Sequence, residues 1–224
     1  MSEADTSDRA FVAISLAGRK RASSVALRDA VARVVDDAEA RVVRSATGVT
    51  VVREVRAPGD VREGAEKLRQ TVAAALEDDV SAGVAGPKPG TSGAHFALVQ
   101  AEHALAVGRT RHGHGRTVHF DDLGIFCFVL NQPAGDIRAF AERTLGPLAA
   151  DSPHKDLFDT LEAFLRSGGS ANAVARQLFV HRNTVRHRLR RIAKLTGADL
   201  DDPDTRLALQ LAILGRRALS QIAS

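Results

Sequence analysis

The sequence predicts an α+β protein, an α/β sandwich followed by an all-helical module, and three observations carry that reading. Short β-branched runs alternate with helical periodicity as far as Phe120, the pattern is helical only from Asp121 onward, and the excess positive charge lies wholly in the second part. Lys and Arg total 31 against 27 Asp and Glu, of which residues 151–224 hold 12 against 8, leaving residues 1–150 balanced.

Residues 11–16 (FVAISL) read as a buried strand, and residues 25–43 as an amphipathic helix with Val31, Val34, Val35, Ala38 and Val42 on one face. Residues 45–48 form the turn of a hairpin whose following strand is VTVVREV, residues 49–55. Asp60 caps a helix running to Glu77, with Val61, Ala65, Leu68, Val72 and Leu76 at helical spacing. VSAGVA, residues 80–85, returns as a strand, a Gly/Pro loop at residues 86–93 leads into a helix over residues 94–107, and residues 117–120 form a last strand. The order β-α-β-β-α-β-α-β is that of a ferredoxin-like sandwich. Further helices are predicted over residues 155–166, 170–179, 182–195 and 203–219. The expected organisation is a disordered N-terminus (1–9), the α/β domain (10–130), a helical connector (131–150) and a helical domain (151–224).

Composition narrows the function classes. A chain of 224 residues with 44% hydrophobic content supports one good-sized core or two small ones. No apolar run approaches the ~20 residues that span a bilayer, and the first ten residues lack the basic-then-apolar layout of a signal peptide. The expectation is a cytoplasmic protein without a membrane partner. Cys127, the single cysteine, forms no internal disulfide and reads as a small buried hydrophobe. The glycine-rich stretch GPKPGTSG has no lysine before Thr91 to reach a phosphate, so it reads as a strand-to-helix turn. His112, His114 and His119 have metal-like spacing, but no acid or cysteine completes a tetrahedral set, and no metal or cofactor is expected.

The feature to be explained is the stretch from Arg176 to Lys194, with seven cationic residues, two histidines and no acid. Ser170 follows two glycines and precedes an apolar-periodic run, the layout of an N-cap. A short helix with Ala171, Val174, Ala175 and Leu178 inward leads through Phe179 and Val180 to a second helix opened by His181 or Arg182. Two short helices joined by so tight a turn make a helix-turn-helix, whose second helix enters the major groove of double-stranded DNA. At 100° per residue Val185, Leu189 and Ile192 share one arc, and Asn183, His187, Arg190 and Lys194 lie opposite. Arg182 and Arg186 flank the outward face on one side and Arg191 on the other. Arg188 falls about 60° from the apolar centre and is expected to lay its stem along the bundle or pair with an acid. A solvated helix normally mixes both signs, and cations without acids make sense when a polyanion neutralises them. Duplex DNA is favoured over RNA because the chain has no Tyr or Trp for stacking unpaired bases.

These residues also carry a family resemblance. Residues 145–213, with VHRNTV, RLRRI and LTG followed by an acidic DP segment and a leucine-rich helix, closely resemble the C-terminal DNA-binding domain of PucR/CdaR-type bacterial transcription regulators. The helix-turn-helix also resembles that of Fis-type DNA-bending proteins. Residues 10–125, through VSAGVA, QAEHAL and VHFDDLG, resemble the GGDEF-like domain that precedes the module in such regulators. The family's separate N-terminal sensory domain has no counterpart in these residues, as expected of a fragment or a short member. The resemblance implies a homodimeric, sequence-specific regulator, an activator of a metabolic operon, responding to an unidentified small-molecule effector. Arg182, Asn183, Arg186 and His187 are expected at base edges, Ser170, Thr184 and Arg190 at phosphates, and His181 and Lys194 on the same DNA-binding face.

Catalysis is not expected. A diguanylate cyclase needs carboxylates to hold Mg²⁺ and a Gly-Gly hairpin turn, whereas FVAISL has no acid and the hairpin reads RSATGVT. The implied domain is degenerate, used for structure, dimerisation or signal relay. Two other readings remain open at this point: a nucleotide receptor or enzyme built on the GGDEF-like domain, and a non-specific architectural DNA-bending protein.

Overall fold

The computed structural model describes residues 9–19, 24–35, 40–45, 48–55, 61–149 and 154–222. Residues 1–8 of the expected disordered N-terminus, Ala38 and the Asp60 cap lie outside the described residues. The chain divides into two compact units, Met1–Asn131 with Gln221–Ser224, and Gln132–Ser220.

In the first unit five strands, β1 (Ala10–Gly18), β2 (Ala40–Arg44), β3 (Val49–Val55), β4 (Val80–Pro89) and β5 (Thr117–His119), form one sheet in the order β2-β3-β1-β4-β5. All pairings are antiparallel except β4 with β5. β1 is central because its residues are apolar or small on both faces, with Val12, Ala13, Leu16 and Ala17 buried. Its Ser15 sits opposite Thr50 of β3, and the two buried hydroxyls satisfy each other at 2.8 Å. On one face Leu16, Val49, Val51, Val80 and Ala82 pack against Leu27 and Val31 of α1 (Ser24–Val34) and Val72 of α2 (Val61–Leu76). The other face receives α3 (Gly93–His112). At Gly83 of β4 an added Cβ would lie 2.2 Å from the Ala101 carbonyl oxygen, so the helix approaches as closely as it does only because that position has no side chain. The short α4 (Ile125–Leu130) ends the unit.

The element order in this unit is as read from the sequence, with four differences in extent. Residues 40–43, expected as the end of a helix, are strand β2, where Val42 and Val43 pair with Val51 and Thr50. Their β-branched side chains gain more from a partner strand than from a helical turn. β4 runs on through Lys88 and Pro89, residues assigned to a loop. The strand is irregular there, with a register shift against β1 and with Gly86 at φ +106°, where a Cβ would meet the Phe11 carbonyl oxygen at 2.4 Å. α3 continues to His112, and Phe120 belongs to a 3-10 turn over Phe120–Leu123 rather than to β5.

The second unit contains α5 (Ala134–Leu145), α6 (Lys155–Arg166), α7 (Ala171–Gln177), α8 (Arg182–Thr196) and α9 (Pro203–Ile222). Its core joins Leu145, Leu148, Leu157, Leu161, Val174, Val185, Ile192, Leu209 and Ile213. Residues 134–149, read as a connector, therefore pack into the helical core through Leu145 and Leu148. α9 opens as the DDPDT pattern dictates, with Asp202 Oδ2 accepting the Thr205 N–H at 2.7 Å and its hydroxyl at 2.5 Å. These hydrogen bonds, the Thr205 hydroxyl first, hold the Asp202 carboxyl below the usual range. Of the leucines at helical spacing on α9, Leu207 is exposed and Leu211 and Leu214 are half-buried, while Leu209 and Ile213 close the core.

Candidate nucleic-acid interface

α7 begins where Ser170 caps it, its Oγ accepting the Ala173 N–H at 3.3 Å. The helix ends at Gln177, two residues short of the extent read from the sequence, and Val180 N–H reaches back to Ala175 O at 3.1 Å to close the turn. His181 is the N-cap of α8, and its Nδ1 accepts the Asn183 N–H at 3.2 Å. One ring nitrogen is thereby committed to the cap, and Nε2 is the ring's remaining polar atom. Gly197, in the left-handed conformation at φ +70°, terminates the helix with its N–H on Ala193 O.

The rotation of α8 about its axis is fixed by what it buries. Val185 and Ile192 have no solvent exposure and Leu189 is half-buried against the same core. The residues expected on the outward face, His181, Arg182, Asn183, Thr184, Arg186, His187, Arg190 and Lys194, are all exposed, as are Arg191 and Ser170. Arg188 turns inward. It lies 3.4 Å from Asp156 on α6 and donates to the Oγ1 of Thr160 at 3.3 Å, and that fully buried hydroxyl in turn donates to the Asp156 carbonyl. An arginine 60° from the apolar centre has been drawn into the bundle by an acid, as its position on the helix implied.

The electrostatics follow from this division. Among the described residues no ion pair involves Arg176, Arg182, Arg186, Arg190, Arg191 or Lys194, whereas α6 pairs Lys155 with Asp159 at 2.9 Å and Arg166 with Glu162 at 3.3 Å. Arginine forks in water, repelling one another along one face, match the bidentate geometry of phosphates and of guanine edges. From the sequence Phe179 reads only as part of the turn. Its ring is 95% exposed and its backbone has φ +54°. A signal was available: a helix stopping ahead of a second cap calls for glycine at the position phenylalanine occupies.

Among the described residues no helix is long and apolar enough to cross a membrane, and no group of three or more His, Cys, Asp or Glu side chains gathers as a metal site.

Residues 157–214 match the PucR C-terminal helix-turn-helix domain. The chain is 36% identical over 89 residues to the purine catabolism regulatory protein of Bacillus subtilis, covering 39% of this chain and 17% of that one. It is 35% identical over 114 residues to the carbohydrate diacid regulator of Escherichia coli, covering 50% and 29%. With the proline-responsive transcriptional activator PutR of Bacillus subtilis the identity is 37% over 59 residues, covering 26% and 14%. Less than half the length of each such relative is therefore represented. A solved regulator of polyketide synthase expression from Bifidobacterium adolescentis aligns over 94% of this chain and 85% of its own at 21% identity, with a TM-score of 0.36.

Proposed function

We propose that this chain, whose residues 157–214 belong to the PucR C-terminal helix-turn-helix family, is a sequence-specific DNA-binding transcription regulator that reads the major groove with α8. The observation that carries the proposal is the outward face of α8, cationic, exposed and without acidic partners among the described residues, held in one rotation by buried Val185 and Ile192. Arg182, Asn183, Arg186 and His187 lie within the first two turns, where a recognition helix meets base edges, and His181 precedes them. In this reading Thr184 and Arg190 hold phosphates, as does Ser170 at the start of α7, with Lys194 a turn beyond Arg190. Such proteins act as dimers on half-sites about one helical turn apart, and the leucines at 207, 211 and 214 give a half-exposed stripe on which two copies can meet. The protein works in the bacterial cytoplasm, and the names of its relatives support activation of a metabolic operon under an effector not yet identified.

We infer further that the sheet unit is a degenerate GGDEF-like domain and that the helix-turn-helix is of the Fis type. The succession β1-α1-β2-β3-α2-β4, with β1 antiparallel to both β3 and β4, supports a ferredoxin-like core. β1 reads AFVAISLAG, with no carboxylate for Mg²⁺, so the unit serves assembly or signal relay and not catalysis. Incubation with GTP and Mg²⁺ or Mn²⁺ should give no cyclic dinucleotide above a blank.

The deciding experiment is selection of bound sites from a random duplex library. A single motif, preferred over random duplex by about a thousandfold or more, is expected of a specific regulator. Equal affinity for all duplexes would instead favour an architectural DNA-bending protein.

A further inference from the structure

The turn between α7 and α8 carries a residue that its backbone disfavours. The Val180 N–H bond to Ala175 O is that of a helix stopped by a left-handed residue, and Phe179 supplies it at φ +54°. In that conformation a Cβ crowds the following carbonyl, which is why glycine is the usual occupant. The chain follows that rule after α8, with Gly197, and the positive-φ residues that end α3 and α5 are likewise glycines, Gly113 and Gly146. Among the described residues one other non-glycine has positive φ, Glu77 at the end of α2, and it is an ordinary exposed polar side chain.

Phe179 is 95% exposed, more than any other large hydrophobic residue among those described. The fold gains neither backbone ease nor packing from this ring, since glycine suits the turn better and a polar side chain suits the surface better. Disfavoured geometry of this kind persists where a side chain is used. Phe179 stands two residues before the cap of α8 and three before Arg182, in the turn that leads into the helix carrying the cationic face. A duplex approached by that face presents apolar surface next to its phosphates, on deoxyribose faces and thymine methyl groups.

We propose that Phe179 is a DNA-contacting residue, its ring packing on apolar surface of the duplex at the edge of the groove that α8 enters. This rests on the reading of α8 given above and adds to it a contact without charge.

The test uses the full chain with Phe179→Gly and, as a second variant that also tolerates the left-handed conformation, Phe179→Asn. Both should keep or raise the thermal midpoint, because backbone strain is relieved. Both should bind selected and random duplexes about tenfold more weakly, as expected for the loss of a partly buried ring. The salt dependence of binding should be unchanged, because no cation has been removed. Replacing thymine by uracil in the selected duplex distinguishes the two apolar sources: wild-type affinity falls if the methyl is the partner and holds if the sugar is. Variants that bind as tightly as wild type overturn the proposal while leaving the α8 reading intact. So does a salt slope flattened by about one unit, which would trace the loss to a displaced phosphate contact, or a loss of self-association with DNA affinity kept, which would make a second copy the partner. Wild-type protein that binds no duplex at all overturns the α8 reading as well.

Discussion

On α2 of the sheet unit arginines are tied to acids, Arg62 to Asp122 at 2.7 Å and Arg69 to Glu66, with Arg69 also donating to the Val80 carbonyl. On α8 of the helical unit, among the described residues, only Arg188 is so tied, and the remaining cations face water. Glu66 shows what a paired acid contributes. It accepts from Arg69, Gln70 and Thr117, so it clasps one turn of α2 to strand β5, and its pKa falls to about 2, chiefly through the Arg69 hydrogen bond. The comparison separates arginines that hold a fold from arginines kept for a partner. Composition treats the two alike, and only the positions of the acids tell them apart.

Mutations at the two kinds of arginine should fail in different assays. The largest effect is expected at Arg186→Ala, which removes a base contact worth about 1 to 3 kcal/mol. Competition among duplexes varied one position at a time should show relaxed preference at a single base pair, with thermal stability unchanged. Arg190→Ala should weaken all duplexes similarly, by about 1 kcal/mol, and lower the slope of log affinity against log salt by about 0.9. Equal loss of specificity at both positions would break the assignment of base and phosphate roles along α8.

Glu66→Gln sharpens the other side of the comparison. A carboxyl held below its ordinary 4.5 in the folded state stabilises the fold above pH 4.5, and that stability is lost as pH falls towards about 2. With the side chain 39% exposed, screening by water leaves about 1 kcal/mol at neutral pH. Denaturant midpoints of wild type and variant should therefore differ at pH 7 and converge near pH 2, with DNA affinity unaffected. The smallest effect is expected at Arg188→Ala, about 0.5 kcal/mol of stability, with the salt slope unchanged. A flattened slope at Arg188→Ala would mean that α8 is rotated from the orientation its buried residues impose.

Legibility differed with the range of the interactions involved. The outward face of α8 was readable because helical spacing is local: once Val185, Leu189 and Ile192 are taken as inward, the angles of all the other residues follow. The cap at Ser170 is readable for the same reason. Residues 40–43 form a strand although Val42 fits the apolar stripe of a helix, because pairing with β3, which periodicity does not contain, decides between the two. The extension of β4 through two prolines likewise depends on its neighbour β1.

Residue order is enough to give the succession of elements, the clustering of cations without acids between Arg176 and Lys194, and the face of α8 that carries them, because each depends on spacing within a few turns. The tertiary structure alone decided that Asp156 captures Arg188, that residues 134–149 belong to the helical core, and that Phe179 stands in solvent on a left-handed backbone. Each of these follows from the approach of segments distant in the chain or from a backbone angle, and side-chain periodicity encodes neither.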